Sequence, residues 1–437
     1  VMNNHMDIPW HEYTKVDSKI KIEHASLTEK SSVIGRIGLM LLACGTGAWR
    51  VRSSMNTIAS ELNITCIADI GLTNISYTCI DGIESHAQSL SLHNTSVNTS
   101  KLARMEDFVY HFKDECKTCT CNEIHDQLDQ IESIHSSYSP IILGLAAALA
   151  CSCFTFLLGG GPIEMLCAFV GAGLGNTLRM KLIKHNYTLF LNVAASVSLA
   201  CLVYALLFNF LEACFGIATQ HEAGYICSML FIIPGFPFIT SGIDLAKLDL
   251  RSGLERLAYA IIIILAATLT AWICALVLHL QPVDFVKLHI STPTKLFLRL
   301  LTSFGGVFGF SIMFNSSKKI AASAGCIGAI ANTLRLTLVD LSLPAAAAAF
   351  IGALTAGLLA SMIKGNTGYP RIAVTVPSIV IMVPGLYMYR AIYNLELTST
   401  MSIGANWLIQ SLLIVLALPM GLIFARILTD PSFRYCT

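Results

Sequence analysis

The sequence predicts a polytopic α-helical membrane protein with a small α+β domain ahead of its membrane region. Three observations carry this. Of 437 residues, 54% are hydrophobic and 13% charged, and the mean hydropathy is +0.66, too apolar and charge-poor for an ordinary soluble domain. About ten of the 27 carboxylates follow Pro140, so charge is concentrated in the first third and the apolar spans come after it. Two short motifs also recur in the same order. Asn176-Thr177-Leu178-Arg179 returns as Asn332-Thr333-Leu334-Arg335, and Pro234-Gly235 returns as Pro384-Gly385, at offsets of about 156 and 150 residues. The second half therefore reads as a structural copy of the first.

Residues 1–27 read as a mobile polar tail with no apolar signal-peptide core. Thr28 to Asn63 reads as one long amphipathic helix, with Ile34, Ile37, Leu41, Ala48, Val51, Met55, Ile58 and Leu62 on one side. Arg36 and several glycines interrupt its apolar run, so it is expected to pack rather than span. From Ile64 to Leu92 the pattern turns strand-like, and Asp81-Gly82 signals a hairpin. Residues 99–136 carry two polar helical stretches. Residues 28–139 are thus expected to form a cytoplasmic α+β domain.

Beyond Pro140 ten spans are expected, at about 141–158, 163–182, 187–210, 225–243, 257–280, 296–314, 319–339, 344–363, 374–393 and 404–428, each long enough to cross. The repeat unit is then five helices, in residues 140–281 and 282–437. An odd number inverts the second copy in the membrane. With a cytoplasmic N-terminal domain, one side collects Lys181, Lys184, Lys247, Arg251, Arg256, Lys318, Lys319, Lys364, Arg371, Arg426 and Arg434. The opposite side holds mainly Lys287, Lys295, Arg299 and Arg390, so both termini are expected in the cytoplasm and the chain in the inner membrane. Sequons at Asn94 and Asn98 suit a secreted domain, but they also arise by chance in a Ser- and Asn-rich stretch.

The two broken helices are the candidate site. Phe231 to Leu245 (FIIPGFPFITSGIDL) and Ile381 to Leu395 (IMVPGLYMYRAIYNL) each place Pro-Gly inside an apolar run. Proline removes a donor and frees carbonyls in the preceding turn. At membrane depth such groups persist only against protein or beside a wet cavity, where transporters hold substrate. The half-helix after each proline offers free amides and a positive dipole end to an anion. Pro234, Gly235, Pro384 and Gly385 are therefore expected to bind substrate, with Tyr387 and Tyr389 adding hydroxyls near the second break and Thr240 and Ser241 near the first; packing is the competing role for the tyrosines, and a plain kink for the prolines.

Asn176 and Arg179 share a helix face, as do Asn332 and Arg335. An intramembrane arginine needs an anion or several carbonyls, so these four are expected at the pathway, unless the arginines snorkel at helix ends. For proton coupling Asp244 stands nearest a break, with Glu164, Glu212 and Asp340 near helix ends. A helix-end ion pair with Lys247 or Arg251 is the competing role for Asp244, and capping is that for Glu164. His111, Cys116, Cys119, Cys121 and His125 invite a zinc reading, but C-x-x-C-x-C without a second spaced pair is weak evidence, and neither a metal nor another cofactor is expected. The 15 cysteines show no disulfide framework. The net charge of +1 gives no argument for nucleic acid. No G-x-S-x-G, P-loop or H-E-x-x-H points to an enzyme.

The stretch IPGFPFITSGIDLAKLDLRSGLERLA resembles the ThrE-type threonine/serine exporter family, in which a PG break precedes a G/D-x-x-S-G-x-x-R segment. Asp249, Ser252, Gly253 and Arg256 match that segment. Gly35 to Leu62 and Leu157 to Gly175 are similar to the family's amino-terminal half. Phe297 to Leu395, with its VPG and Tyr389-Arg390, is similar to its second half, which is sometimes a separate polypeptide. The resemblance implies export of small hydrophilic amino acids driven by the proton motive force, with related split systems handling small dicarboxylates. A threonine/serine-like substrate, protons and the bilayer are the expected partners, with homo-oligomerisation open. A dicarboxylate exporter, a membrane-anchored enzyme using the cytoplasmic domain and a passive channel are the alternatives.

Overall fold

A computed structural model of the chain describes residues 8–13, 20–92, 95–134, 138–216, 224–280, 285, 289–367, 371–396 and 400–434, without the side chains of 364–367, 396 and 432. The Asn94 sequon and Lys287 lie outside the described residues, as does the side chain of Lys364. The chain forms two compact units.

One unit combines the N-terminal 137 residues with Ile243–Arg256. Its first helix, α1 (Leu27–Ala43), starts on a Ser26/Glu29 capping box, which satisfies amides that the first turn leaves without partners. The expected single helix is in fact two. Gly45 takes a left-handed φ of 78°, and α2 (Ala48–Glu61) begins afresh with Gly47 as its N-cap. The two glycines of Cys44-Gly45-Thr46-Gly47 permit a turn that the apolar periodicity alone does not reveal. The apolar side was nonetheless read correctly: Ile34, Ile37, Leu41, Ala48, Val51, Met55, Ile58 and Leu62 are fully buried.

The strands β1 (Thr65–Ile70), β2 (Asn74–Asp81) and β3 (Glu84–Ser91) form an antiparallel sheet in chain order. Asp81 pairs with Glu84, so the hairpin turns on Gly82-Ile83, with Gly82 at φ 59°. Alternating burial along β1 and β2 turns one face inward. Tyr77 on that face donates to the Ser31 carbonyl of α1 at 2.9 Å. Two polar helices follow, α3 (Thr99–Glu115) and α4 (Cys121–Glu132). The Asn98 side chain caps α3 by accepting from the Lys101 amide, a structural use of that sequon residue.

The second unit, Tyr138–Gly242 with Leu257–Arg434, is helical. In order come α5 (Pro140–Leu157), α6 (Pro162–Lys184), α7 (Leu189–Phe215), the pair α8 (Gly224–Ser228) and α9 (Gly235–Ala246), and α10 (Leu250–Leu278). Then follow α11 (Thr292–Met313), α12 (Lys318–Asp340), α13 (Ala345–Thr367), the pair α14 (Arg371–Val380) and α15 (Gly385–Glu396), and α16 (Met401–Thr429). Among the described residues seven helices are long and apolar enough to cross a membrane, or up to nine spans if each bent pair counts as one. This makes the chain a polytopic membrane protein. The expected span at 163–182 is helical as α6 but falls outside that set, since it carries Glu164, Arg179, Lys181 and Lys184. Small residues let these helices approach closely: a Cβ on Gly309 of α11 would stand 2.5 Å from the Ala146 carbonyl of α5.

Candidate functional site

Both proline-glycine breaks fold the same way. Before the first, a 3-10 turn at Leu230–Ile232 ends in extended Ile233. The Gly235 amide then reaches back to the Ile233 carbonyl at 2.8 Å, and α9 continues from the Phe238 bond to Pro234. At the second break the Gly385 amide bonds the Val383 carbonyl at 2.9 Å, and Met388 bonds Pro384. The bends are 57° and 48°. Proline accounts for both, since it can neither donate to the turn before it nor fit against that turn.

The breaks pack on each other. A Cβ on Gly235 would lie 3.0 and 3.4 Å from the side chains of Val380 and Val383, and one on Gly385 would lie 1.8 Å from Ile233 Cδ1 and 3.1 Å from Leu230 Cδ2. Each glycine therefore makes room for the apolar turn of the other broken helix. Tyr225, at the start of the first broken helix, and Tyr389 of the second are fully buried, and their hydroxyls stand 2.6 Å apart.

Each arginine of the repeated motif serves its own break. Arg179 Nη1 donates to the Phe231 carbonyl at 3.5 Å, and Arg335 Nη1 donates to the Met382 carbonyl at 3.1 Å. These carbonyls lie in the turns that the prolines disrupt. The guanidinium thus supplies a charged donor where the helix supplies none. The asparagines are buried one turn earlier. Asn176 Nδ2 donates to the Leu143 carbonyl at 2.8 Å and Asn332 Nδ2 to Ser303 Oγ at 2.9 Å. Among the described residues Oδ1 of each asparagine is buried without a hydrogen-bond partner. Both half-buried arginines thus rest on backbone carbonyls of the breaks.

The other expected residues are scattered around this crossing. Thr240 bonds back to the Phe236 carbonyl, while Tyr387 packs on Trp407 at 4.8 Å. Glu164 is buried and accepts the Gly161 amide at 2.9 Å, which is the capping role. Glu212 lies near the C-terminal end of α7. Asp340 is half-exposed and held by Arg299 and Lys295.

Asp244 sits within the N-terminal unit and is fully buried. Its ion-pair partner is Arg256 at 3.2 Å, rather than Lys247 or Arg251. Lys247 lies over the Trp49 ring, and Arg251 pairs with Asp69 and Glu255. Asp244 Oδ2 also accepts the Ser252 hydroxyl at 3.1 Å and the Ala48 amide at 3.2 Å. It is thereby the acceptor for the start of α2, whose glycine N-cap has no side chain to offer. Arg256 completes the cluster by donating to the Gly45 and Thr46 carbonyls at 3.3 and 2.7 Å.

The cysteine and histidine cluster does not converge. Cys116 donates to Gln127, Cys119 to the Glu115 carbonyl and Cys121 to the Glu29 carbonyl, and His111 bonds Asp107. Burial pushes the Cys116 and Cys121 thiols up to about 12. Among the described residues the group close enough to share an ion is His11, Asp126 and Asp129, all exposed, and Arg36 already bonds Asp129. His125 is buried beside Ser32 Oγ at 3.1 Å and Arg36. Burial first, then the Arg36 charge, lower its pKa to about 3. Below the unfolded value of about 6.5 the unfolded chain takes up a proton that the folded imidazole refuses, so stability falls as pH drops from there toward 3. The unfolding temperature of the detergent-solubilised chain is expected to fall between pH 7 and pH 5, and to fall less for His125→Asn; equal slopes would refute this.

Two family models match the chain. One, described as "Putative threonine/serine exporter", covers residues 32–278. The other, "Threonine/Serine exporter, ThrE", covers residues 299–428. The chain belongs to the threonine/serine exporter family. A Mycobacterium tuberculosis (strain H37Rv) protein named "Probable threonine/serine exporter" is 22% identical over 418 residues, which cover 92% of this chain and 76% of that protein. No solved structure matches. The family is one of exporters rather than enzymes, and membership points to amino-acid export across a lipid bilayer.

In this chain the first matched region runs from α1 through α10 and the second takes in α11–α16. The family-like segment Asp249, Ser252, Gly253 and Arg256 lies in the N-terminal unit. There Asp249 pairs with Arg52, while Ser252 and Arg256 converge on Asp244. Sequence reasoning missed Tyr225 and the convergence on Asp244. An aromatic residue ahead of the first break was the available signal for Tyr225. The Asp244–Arg256 pair was not sought because the intervening residues offer two nearer cations.

Proposed function

We propose that this chain is a secondary transporter that exports threonine- or serine-like amino acids across the inner membrane by proton-coupled alternating access. Its moving parts are two inverted five-helix halves, α5–α10 and α11–α16, behind a cytoplasmic N-terminal α+β domain, with both termini cytoplasmic. The observation that carries the reading is the pair of matched breaks packed on one another, each with an arginine on a carbonyl of its disrupted turn. Supporting it, each half runs in the same order: two helices, a third, a broken pair, and a closing helix of 29 residues.

Pro234, Gly235, Pro384 and Gly385 would shape the substrate site. Arg179 and Arg335 would exchange their carbonyl partners for the substrate carboxylate, and Asn176 and Asn332 would offer their spare carbonyl oxygens to its ammonium. Tyr389 would act with Tyr225 as a hydroxyl pair in the gate, and Tyr387 would pack at its edge. The two arginines carry two positive charges, which favours a small dicarboxylate as the second reading. Counterflow in proteoliposomes against amino acids and dicarboxylates tests both. Exchange of threonine and serine supports the first, and exchange of dicarboxylates alone replaces it with the second.

Asp244 is the proposed proton carrier, with Glu164, Glu212 and Asp340 behind it. Asp244→Asn keeps the shape and removes the titration. Proton-driven accumulation is expected to fall at least tenfold, while exchange without a gradient survives. If both persist with an unchanged pH profile, the residue only anchors α2 and Arg256.

A further inference from the structure

Two cysteines of the N-terminal unit face each other across the sheet. Cys66 of β1 is the register partner of Cys79 of β2, and both side chains lie on the buried face. Directly opposed residues of an antiparallel pair stand with their Cα atoms about 4.5–5.5 Å apart and their side chains on one side of the pleat. That spacing falls inside the roughly 4.4–6.8 Å that a disulfide spans, so the sulfurs can be joined without breaking the ladder. Both are free thiols, and they hydrogen-bond each other.

This pair differs from the neighbouring cysteines of the unit. Cys116, Cys119 and Cys121 each donate to an oxygen, whereas Cys66 and Cys79 bond sulfur to sulfur. The donation from Cys66 holds the Cys79 thiol below the usual thiol range, while burial pushes Cys44 up to about 12. The pair therefore releases its first proton more readily than a single buried thiol does. The proton that stays lies between the two sulfurs and can settle on either. Cys66 is the one that solvent reaches: β1 is an edge of the sheet, and Cys66 is 8% exposed against 0% for Cys79.

We infer that Cys66 and Cys79 form a reversible oxidation site, at which hydrogen peroxide converts the cross-strand dithiol to a disulfide. The Cys66 thiolate attacks one peroxide oxygen and the O–O bond breaks. The departing hydroxide takes up the proton that the pair released and leaves as water, and Cys66 becomes a sulfenic acid. The Cys79 sulfur then attacks the Cys66 sulfur, the S–O bond breaks, and the hydroxyl leaves as water with the Cys79 proton. Two thiols are oxidised by two electrons, and one peroxide is reduced to two waters. A dithiol reductant reverses the bond by exchange. The cross-link falls on strands that hold the start of α10. Asp69 of β1 pairs with Arg251, and the Leu72 amide of the β1–β2 turn donates to Glu255 at 2.6 Å. Oxidation fixes the strand register on which both contacts depend.

The test exposes the folded full chain in detergent to hydrogen peroxide, then denatures it, alkylates the remaining thiols and maps the peptides by mass. Trypsin releases both cysteines, and no others, in the single peptide Ser53 to Lys101. The expected result is that this peptide carries no alkyl group and is two hydrogens lighter than its reduced form, and that dithiothreitol restores both alkylation sites. Cys44, Cys116 and Cys121 should stay alkylated in full. In Cys79→Ser, which removes the second sulfur, dimedone should trap a sulfenic acid on Cys66. Full alkylation of both cysteines in the peroxide-treated wild type overturns the site, as does equal joining of Cys66 to cysteines outside this peptide. Dimedone on Cys79 in Cys66→Ser, with none on Cys66 in Cys79→Ser, overturns the assigned order of attack.

Discussion

Replacing Arg256 with methionine is expected to destabilise the N-terminal unit by about 3–5 kcal/mol, because it strands the buried Asp244 carboxylate. The Arg256 guanidinium meets Asp244, the Ser252 hydroxyl and the carbonyls of Gly45 and Thr46, so its loss also leaves the α1–α2 turn without its donor. Asp244→Asn should have a smaller effect, since an amide oxygen still accepts from Ala48 and Ser252. Combining the two removes the stranded charge, and the double variant should recover part of what Arg256→Met loses. Thermal unfolding of the full chain in detergent, followed by the fluorescence of Trp49 close to the cluster, measures the coupling. Additive effects would show that the two residues do not act as a pair.

Arg335→Ala is expected to reduce substrate exchange by roughly 10- to 100-fold while the chain still inserts and purifies. A hydrogen bond from a charged group contributes about 1.5–3 kcal/mol, and each 1.4 kcal/mol is a factor of ten. Its loss leaves the Met382 carbonyl without that donor in the disrupted turn, and the proposed carboxylate site without its cation. Arg335→Lys should recover little, because a point charge on a flexible stem does not reproduce the planar guanidinium. Arg179→Ala should behave alike at the Phe231 carbonyl, though its 3.5 Å bond suggests a smaller loss. Uptake of labelled substrate at saturating and limiting concentrations separates binding from turnover, and full exchange by both alanine variants would remove the arginines from the site.

The features legible in the sequence were those written in chain breakers and direct recurrence. Pro234 and Pro384 act on their own backbone wherever the segment packs, so the breaks could be placed before any contact was known. The Asn-Thr-Leu-Arg repeat fixed which residues correspond, but not what they bind: Arg179 and Arg335 find carbonyls some 50 residues away in the chain. The α1–α2 turn was missed because apolar positions recur with similar spacing on both sides of it, and only Gly45 and Gly47 mark the stop. The Asp244 cluster depends on Ala48 approaching from 196 residues earlier in the chain, which no local pattern encodes.

The reciprocal seating of Gly235 and Gly385 has a kinetic meaning. Each glycine is the socket for the other's turn, so neither broken helix can withdraw without unseating both. An export cycle built on this crossing has one shared reaction coordinate rather than two independent gates, and a leak through simultaneous opening is disfavoured by geometry. The bends of 57° and 48° differ by only 9° (57 − 48), so the two breaks are similarly shaped. A bulkier residue in either socket should act as a wedge that biases the whole cycle toward one side, and the same substitution in the other half should bias it toward the opposite side.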